Sequence, residues 1–179
     1  MIREVRQWFP QRRFRVVGDG FYAPLAGNEW EGIALISRMQ RNTEIYDLPM
    51  PKRKKQRGRP RKKGRRLPHP ERMARHVHQW KKIKVRERGR IKERLVYTRP
   101  VLWYRVRKSP ALRVIRRDPT GQEKNDFFFT TDETMSPAEV IGHFADHWAI
   151  EDTFKQTKQL LGGQEPQTFK GKGPNGRRD

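Results

Sequence analysis

Between Pro51 and Arg66 the sequence reads PKRKKQRGRPRKKGRR, with eleven lysines or arginines and no acid. A run of this kind cannot pack as a core, because buried cations without partners lose their hydration and gain nothing for it. It is expected to have no fixed structure when free, over residues 50–70, and composition shifts abruptly where it begins, at Pro49. Any core must therefore come from the segments on either side.

Ahead of the tract, Ile2 to Phe9 predicts a short helix with Ile2, Val5, Trp8 and Phe9 on one side, stopped by Pro10. RFRVVGDG predicts a buried strand, Phe14 to Val17, that ends in Gly18-Asp19-Gly20. A second strand is predicted around Ile33 to Ile36. Both are apolar on successive residues, which suits strands covered on two faces. After the tract, RLVYTRPVLWYRVRK and ALRVIRRD are rich in β-branched and aromatic residues, DPTGQ reads as a turn, and NDFFFTTD as a strand centred on Phe127 to Phe129. The last helix has Ser136 as N-cap, Pro137 in its first position and Glu139 to close a capping box. Val140, Ile141, Phe144, Ala145, Trp148 and Phe154 give it an apolar side, and Gly162-Gly163 ends it. The residues after that read as a loop or tail.

Of 179 residues 33% are hydrophobic and 35% charged, so the core is modest, and the formal net charge is +22 at pH 7. Such an excess calls for an anionic partner. Nucleic acid leads, since neutralising phosphates releases condensed counterions; an anionic membrane surface is the rival. No apolar run approaches the roughly 18 residues of a spanning helix, and the start carries charges too early for a signal peptide. The absence of cysteine excludes disulfides and cysteine-based zinc sites and fits a reducing interior.

Three features carry chemistry. Arg57-Gly58-Arg59-Pro60 resembles the core of an AT-hook, which lies extended in a narrow A·T minor groove. The plain alternative is a solvated charge run that binds any polyanion. Under either, Arg57, Arg59, Lys62, Lys63 and Arg65 are candidate DNA contacts. Asp19, between two glycines at a strand end, can reach a ligand or metal, or it can simply close an Asp-Gly turn. On the last helix, about 100° per residue puts Phe144, His147, Glu151 and Lys158 in a stripe roughly 60° wide. The plain alternative there is an ordinary helix with an exposed acid and an exposed lysine.

That stripe, Phe144-x2-His147-x3-Glu151-x6-Lys158, has the spacing of the Tyr-x2-Arg-x3-Glu-x6-Lys signature of one branch of the bacterial insertion-sequence transposases of the DDE superfamily. WAIEDTFKQTKQLLGG resembles the segment carrying their catalytic glutamate, and VVGDGFYA the strand end carrying their second catalytic aspartate. RGRPRKKGRRLP and DFFFTTD are also similar to parts of one group in this branch, and the resemblance runs from about Arg12 to Pro174. It implies an α/β fold with an incomplete ribonuclease H-like core. Residues 1–40 would supply part of that core, 41–134 a basic and β-rich insertion between the second acid and the glutamate, 135–163 the catalytic-type helix and 164–179 a flexible tail. The implied activity is metal-assisted cleavage and strand transfer at double-stranded transposon ends. Two Mg²⁺ ions activate water or a 3′-hydroxyl and stabilise the leaving oxygen. Asp19 and Glu151 would be catalytic metal ligands, and Lys158, His147 and Phe144 would face the DNA. A bacterial cytoplasmic, nucleoid-associated location is implied, as is a homodimer for full-length relatives.

The sequence also departs from the signature. Phe144 lacks the tyrosine hydroxyl, and His147 lacks the permanent charge and bidentate fork of arginine. The first catalytic aspartate should precede Asp19, yet the only acid there is Glu4. The chain is therefore expected to be the C-terminal part of a truncated or frameshifted transposase copy that binds DNA and is inactive alone. The alternative is a non-enzymatic nucleic-acid-binding protein that uses the AT-hook-like tract. A ribosome- or RNA-associated basic protein would share the charge but gives no reason for the spaced stripe.

Overall fold

A computed structural model describes residues 2–50 and 58–160; the side chains of 149–152, 155–156 and 158–160 are not among those described. The chain divides into two compact units, 1–147 and 148 onward. The first holds a helix α1 (Ile2–Trp8) and six strands: β1 (Phe14–Gly18), β2 (Ile33–Arg38), β3 (Lys81–Glu87), β4 (Arg90–Val101), β5 (Ala111–Arg117) and β6 (Asp126–Thr130). A short helix α2 (Pro70–His76) follows the basic tract, and a long helix α3 (Pro137–Leu160) starts in the first unit.

The strands form one sheet in the order β1-β2-β6-β5-β4-β3. Only β1 and β2 are parallel, in register from Phe14 opposite Ile33 to Gly18 opposite Ser37. A parallel pair needs a crossover, and here a 3-10 helix, Gly20–Asn28, provides it. The chain then leaves β2, runs through the tract and α2, and re-enters at the far edge as β3. It returns strand by strand until β6 lies antiparallel against β2. Segments on both sides of the tract thus share one sheet. β3 and β4 are joined by a two-residue turn in which Arg88 and Gly89 both take positive φ, 50° and 77°. That geometry matches the twist of a hairpin.

Each face of the sheet is covered. On one, Leu35, Ile115, Phe127 and Phe129 meet Ala23 and Ala26 of the 3-10 helix, Met73 and Ala74 of α2, and Ile45 and Leu67. On the other, Phe144 of α3 packs its ring 4.9 Å from that of Phe128. A Cβ on Gly142 would stand 3.2 Å from the Arg86 carbonyl, so glycine lets α3 approach the hairpin closely. The predicted capping box is present: Glu139 N–H donates to Ser136 Oγ at 3.2 Å, and Ser136 N–H to Glu139 Oε2 at 3.0 Å.

Part of the tract departs from the expectation of a segment without fixed structure. Residues 51–57, Arg57 among them, lie outside the described residues, but the stretch from Gly64 to Leu67 runs beside Ile45 to Asp47. Asp47 N–H donates to the Arg65 carbonyl and Leu67 N–H to the Ile45 carbonyl, both at 2.9 Å. Two apolar anchors explain the ordering. Leu67 is buried, and the Tyr46 ring lies 4.0 Å from the Lys63 ammonium.

Two arginines are buried in the sheet. Arg94 is 2% exposed and fully paired: its Nε and Nη2 donate to the Glu87 carboxylate at 2.8 and 2.7 Å, Nη1 to Asp118 at 3.2 Å and Nη2 to Glu123 at 3.0 Å. Arg113 is 0% exposed, and none of its three nitrogens donates a hydrogen bond. It lies opposite Arg99 and Phe129 on the neighbouring strands, with its guanidinium 5.5 Å from the Tyr97 ring.

Candidate active site and nucleic-acid surface

Asp19 follows directly on β1, where the strand ends and the 3-10 helix begins. Its backbone is extended, and its Oδ1 accepts the Phe21 N–H at 2.9 Å, which caps that helix. The Ser37 hydroxyl donates to the Asp19 carbonyl at 2.6 Å and so ties the turn to β2. Gly18 leaves room for the Tyr22 ring, since a Cβ there would stand 3.0 Å from it. The turn reading and the ligand reading of Asp19 are thus compatible. One oxygen holds the turn, and the residue is exposed at the end of a sheet strand.

Phe144 is 3% exposed, held between Phe128 and the Arg38 guanidinium, which sits 5.1 Å from its ring centre. It is a core residue, and a ring so covered has no face to offer DNA. The stripe placed it beside Glu151, but it also belongs to the helix's apolar side, and packing decides its position. His147 is half-buried, its ring 6.4 Å from that of Phe144. Glu151 and Lys158 lie on the helical backbone of α3, but in the second unit, and their side chains are outside those described. Arg38 was missed by the sequence reading. Its backbone carbonyl lies near Gly20, and its side chain crosses to Phe144 and Asp126. An arginine closing the apolar run ALIS was the available signal.

Arg59, Lys62, Lys63 and Arg65 are all exposed, so the described half of the tract presents its cations outward while Leu67 anchors it. Among the described residues no three His, Cys, Asp or Glu side chains cluster as metal ligands. Asp19 supplies a hard oxygen donor at the strand end, the type of ligand Mg²⁺ takes. No helix among the described residues is long and apolar enough to cross a membrane.

The family described as DDE superfamily endonuclease matches residues 1–105, more than half of the chain. The chain belongs to the DDE superfamily. In this DDE-superfamily protein the matched stretch holds Asp19, the exposed cations from Arg59 to Arg65 and strands β1 to β4. It stops before α3. No curated protein and no solved structure matches the chain. The mixed α/β architecture with one six-stranded sheet is compatible with a DDE nuclease fold, and membership supports a transposase- or nuclease-like function on DNA.

Proposed function

We propose that this chain is a transposase-type DDE protein that binds double-stranded DNA and, by itself, does not cut it. The observation that carries the proposal is Asp19, an exposed carboxylate at the end of β1, inside the region that matches the superfamily, in a chain of net charge +22. In this reading β1 and β2 belong to a ribonuclease H-like core, and the strands after the tract fill the place of the insertion. Asp19 and Glu151 are the two acids that would hold a divalent ion. When bound, that ion would activate water or a 3′-hydroxyl and stabilise the leaving oxygen. The turn held by Phe21 and Ser37 orients Asp19, Lys158 contacts phosphate, and the exposed tract cations neutralise the duplex backbone. The residues before Asp19 contain one acid, Glu4, an exposed residue on α1, and no aspartate. In this reading only two metal-binding acids, Asp19 and Glu151, are identified, and that is the reason for proposing binding without cleavage.

Titration of a duplex at several salt concentrations tests the reading. The slope of log affinity against log salt is expected to be steep, near −0.9 for each phosphate neutralised. A shallow slope would contradict phosphate-dominated binding. Deleting Pro51 to Arg66 should flatten the slope by several units yet leave measurable affinity on the folded surface. Complete loss would favour the second reading, a non-enzymatic module acting through the tract, whose cations at 59–65 are exposed. With Mg²⁺ or Mn²⁺ present no nicked product is expected; nicking that disappears in Glu151→Ala would sink the claim of inactivity.

A further inference from the structure

A groove of ≈ 880 Å³ opens at the end of β1 and β2 opposite to Asp19. Phe14 and Ile33, the first residues of these strands, line it, together with Thr131 just past β6. Four arginines reach it: Arg6, Arg12, Arg13 and Arg15. Two of them build the wall. Arg6 donates to the carbonyls of Phe9 at 3.2 Å, Pro10 and Glu31 at 3.4 Å, which pins α1 against the turn before β2. Arg15 donates to Glu139 at 3.1 Å. Arg12 and Arg13 are exposed. Glu31 and Asp132 also line the groove, so arginine exceeds acid there by two. Asp132 is itself engaged by the Thr134 hydroxyl at 2.6 Å. Beside the cations stands Phe9, 50% exposed, its ring 6.5 Å from that of Phe14, and the preceding residue, Trp8, is 69% exposed.

We propose that this groove binds a single strand of DNA, with Arg12 and Arg13 on its phosphates and Phe9 against a base. A cationic groove flanked by aromatic rings is how single strands are held without regard to sequence, because every base has a π-face. A duplex offers the cations its phosphates but keeps its base faces stacked inside, so it leaves the aromatic half of the site unused. The groove is separate from the Asp19 turn. Three strand residues, Val16 to Gly18, lie between Arg15 and Asp19, about 13 Å at the usual rise.

Ultraviolet cross-linking of the full chain to an oligothymidylate carrying 5-iodouracil tests this, with the cross-linked peptides mapped by mass spectrometry. The peptide holding Trp8 and Phe9 is expected to be labelled. Labelling should fall several-fold in the double variant Arg12→Ala/Arg13→Ala, whose thermal melting should match the parent's because both side chains are exposed. Phe9→Ala should lower single-strand affinity about tenfold through lost stacking, without changing its salt slope. Labels confined to other peptides, such as those of residues 51–66, overturn the proposal, as does labelling of Trp8 and Phe9 that both variants leave unchanged. Duplex binding measured beside it separates the two readings. Labelling at Trp8 and Phe9 without duplex binding would sink the transposase reading and leave the groove standing.

Discussion

Arg113→Met is expected to stabilise the fold. The Arg113 guanidinium is 0% exposed and none of its nitrogens has a hydrogen bond of good geometry, so it has given up its hydration for little more than the weak attraction of Tyr97. Burial pushes it down from the ordinary arginine range to about 10, against the weaker pull of Tyr97 and Asp47, while Arg99 adds to the repulsion. A displacement of that size corresponds to about 3 kcal/mol held against folding. Methionine removes the charge and fills most of the volume, so the melting temperature should rise by on the order of 5–10 °C for a chain of this length. The pH dependence identifies the cause. A cation with a lowered folded value binds its proton less tightly in the native state than in the unfolded one. The penalty is therefore complete below pH 10 and fades as pH rises from about 10 toward the ordinary arginine range. The gap between variant and parent should be constant at neutral pH and close above pH 10. An unchanged or lower melting temperature would show that Arg113 has a partner in solution.

Arg94→Met should do the opposite. It removes the cation that Glu87, Asp118 and Glu123 share and leaves Glu87 and Asp118, 5% and 7% exposed, facing a thioether. Breaking a buried pair from one side costs about 3–5 kcal/mol, because the remaining charge is buried unpaired. Arg116 still reaches Glu87 at 3.4 Å and Glu123 at 2.6 Å, which holds the loss toward the lower end. A fall of roughly 6–12 °C in melting temperature follows. Burial pushes the Glu87 carboxyl up, but the Arg94 hydrogen bonds and the charges of Arg116, Arg94 and Lys92 outweigh it, and the net is below the usual 4.5. Burial pushes the Glu123 carboxyl up too, and its Arg94 hydrogen bond with the charges of Arg116, Arg94 and Lys92 again outweighs it. Carboxylates lowered in this way stabilise the fold fully above their ordinary values and lose that contribution as pH falls through their folded ones. Acid should therefore destabilise the parent more than Arg94→Met, and equal acid sensitivity would contradict the network.

These two residues also show where the sequence stopped being legible. β1, β2, β5 and β6 announce themselves, because their apolar residues are consecutive and β-branched or aromatic. The start of α3 was readable from Ser136 and Glu139 alone. The hairpin of β3 and β4 was not fully readable. Its inward positions include Glu87 and Arg94, so a pattern that equates charge with solvent misreads it. α2 is a single seven-residue helix entered through Pro68 and Pro70, and the 3-10 crossover, GFYAPLAGN, is short and broken by proline; neither is long enough to show a period. The ordering of Gly64 to Leu67 depends on pairing with Tyr46, a partner about twenty residues away that local composition does not reveal.

The site was legible to a different degree. Asp19 could be picked out because a polar residue between two glycines after an apolar strand has few uses. Glu151 could be picked out only by its spacing from Phe144, His147 and Lys158 and by resemblance. The stripe went too far at Phe144, which the core takes. The Arg38 bridge between the Asp19 turn and Phe144 depends on the β2–β6 register, which no local pattern encodes.

We propose Asp19 and Glu151 as the two acids that would hold a divalent ion. Replacing Mg²⁺ with Fe²⁺ and generating hydroxyl radicals at the bound metal tests it most directly, through the positions at which the polypeptide is cut. Cuts are expected near residue 19 and near residue 151, and both should vanish in Asp19→Asn and again in Glu151→Gln. Cutting near only one of the two, or cutting near residue 19 that survives Glu151→Gln, would contradict it.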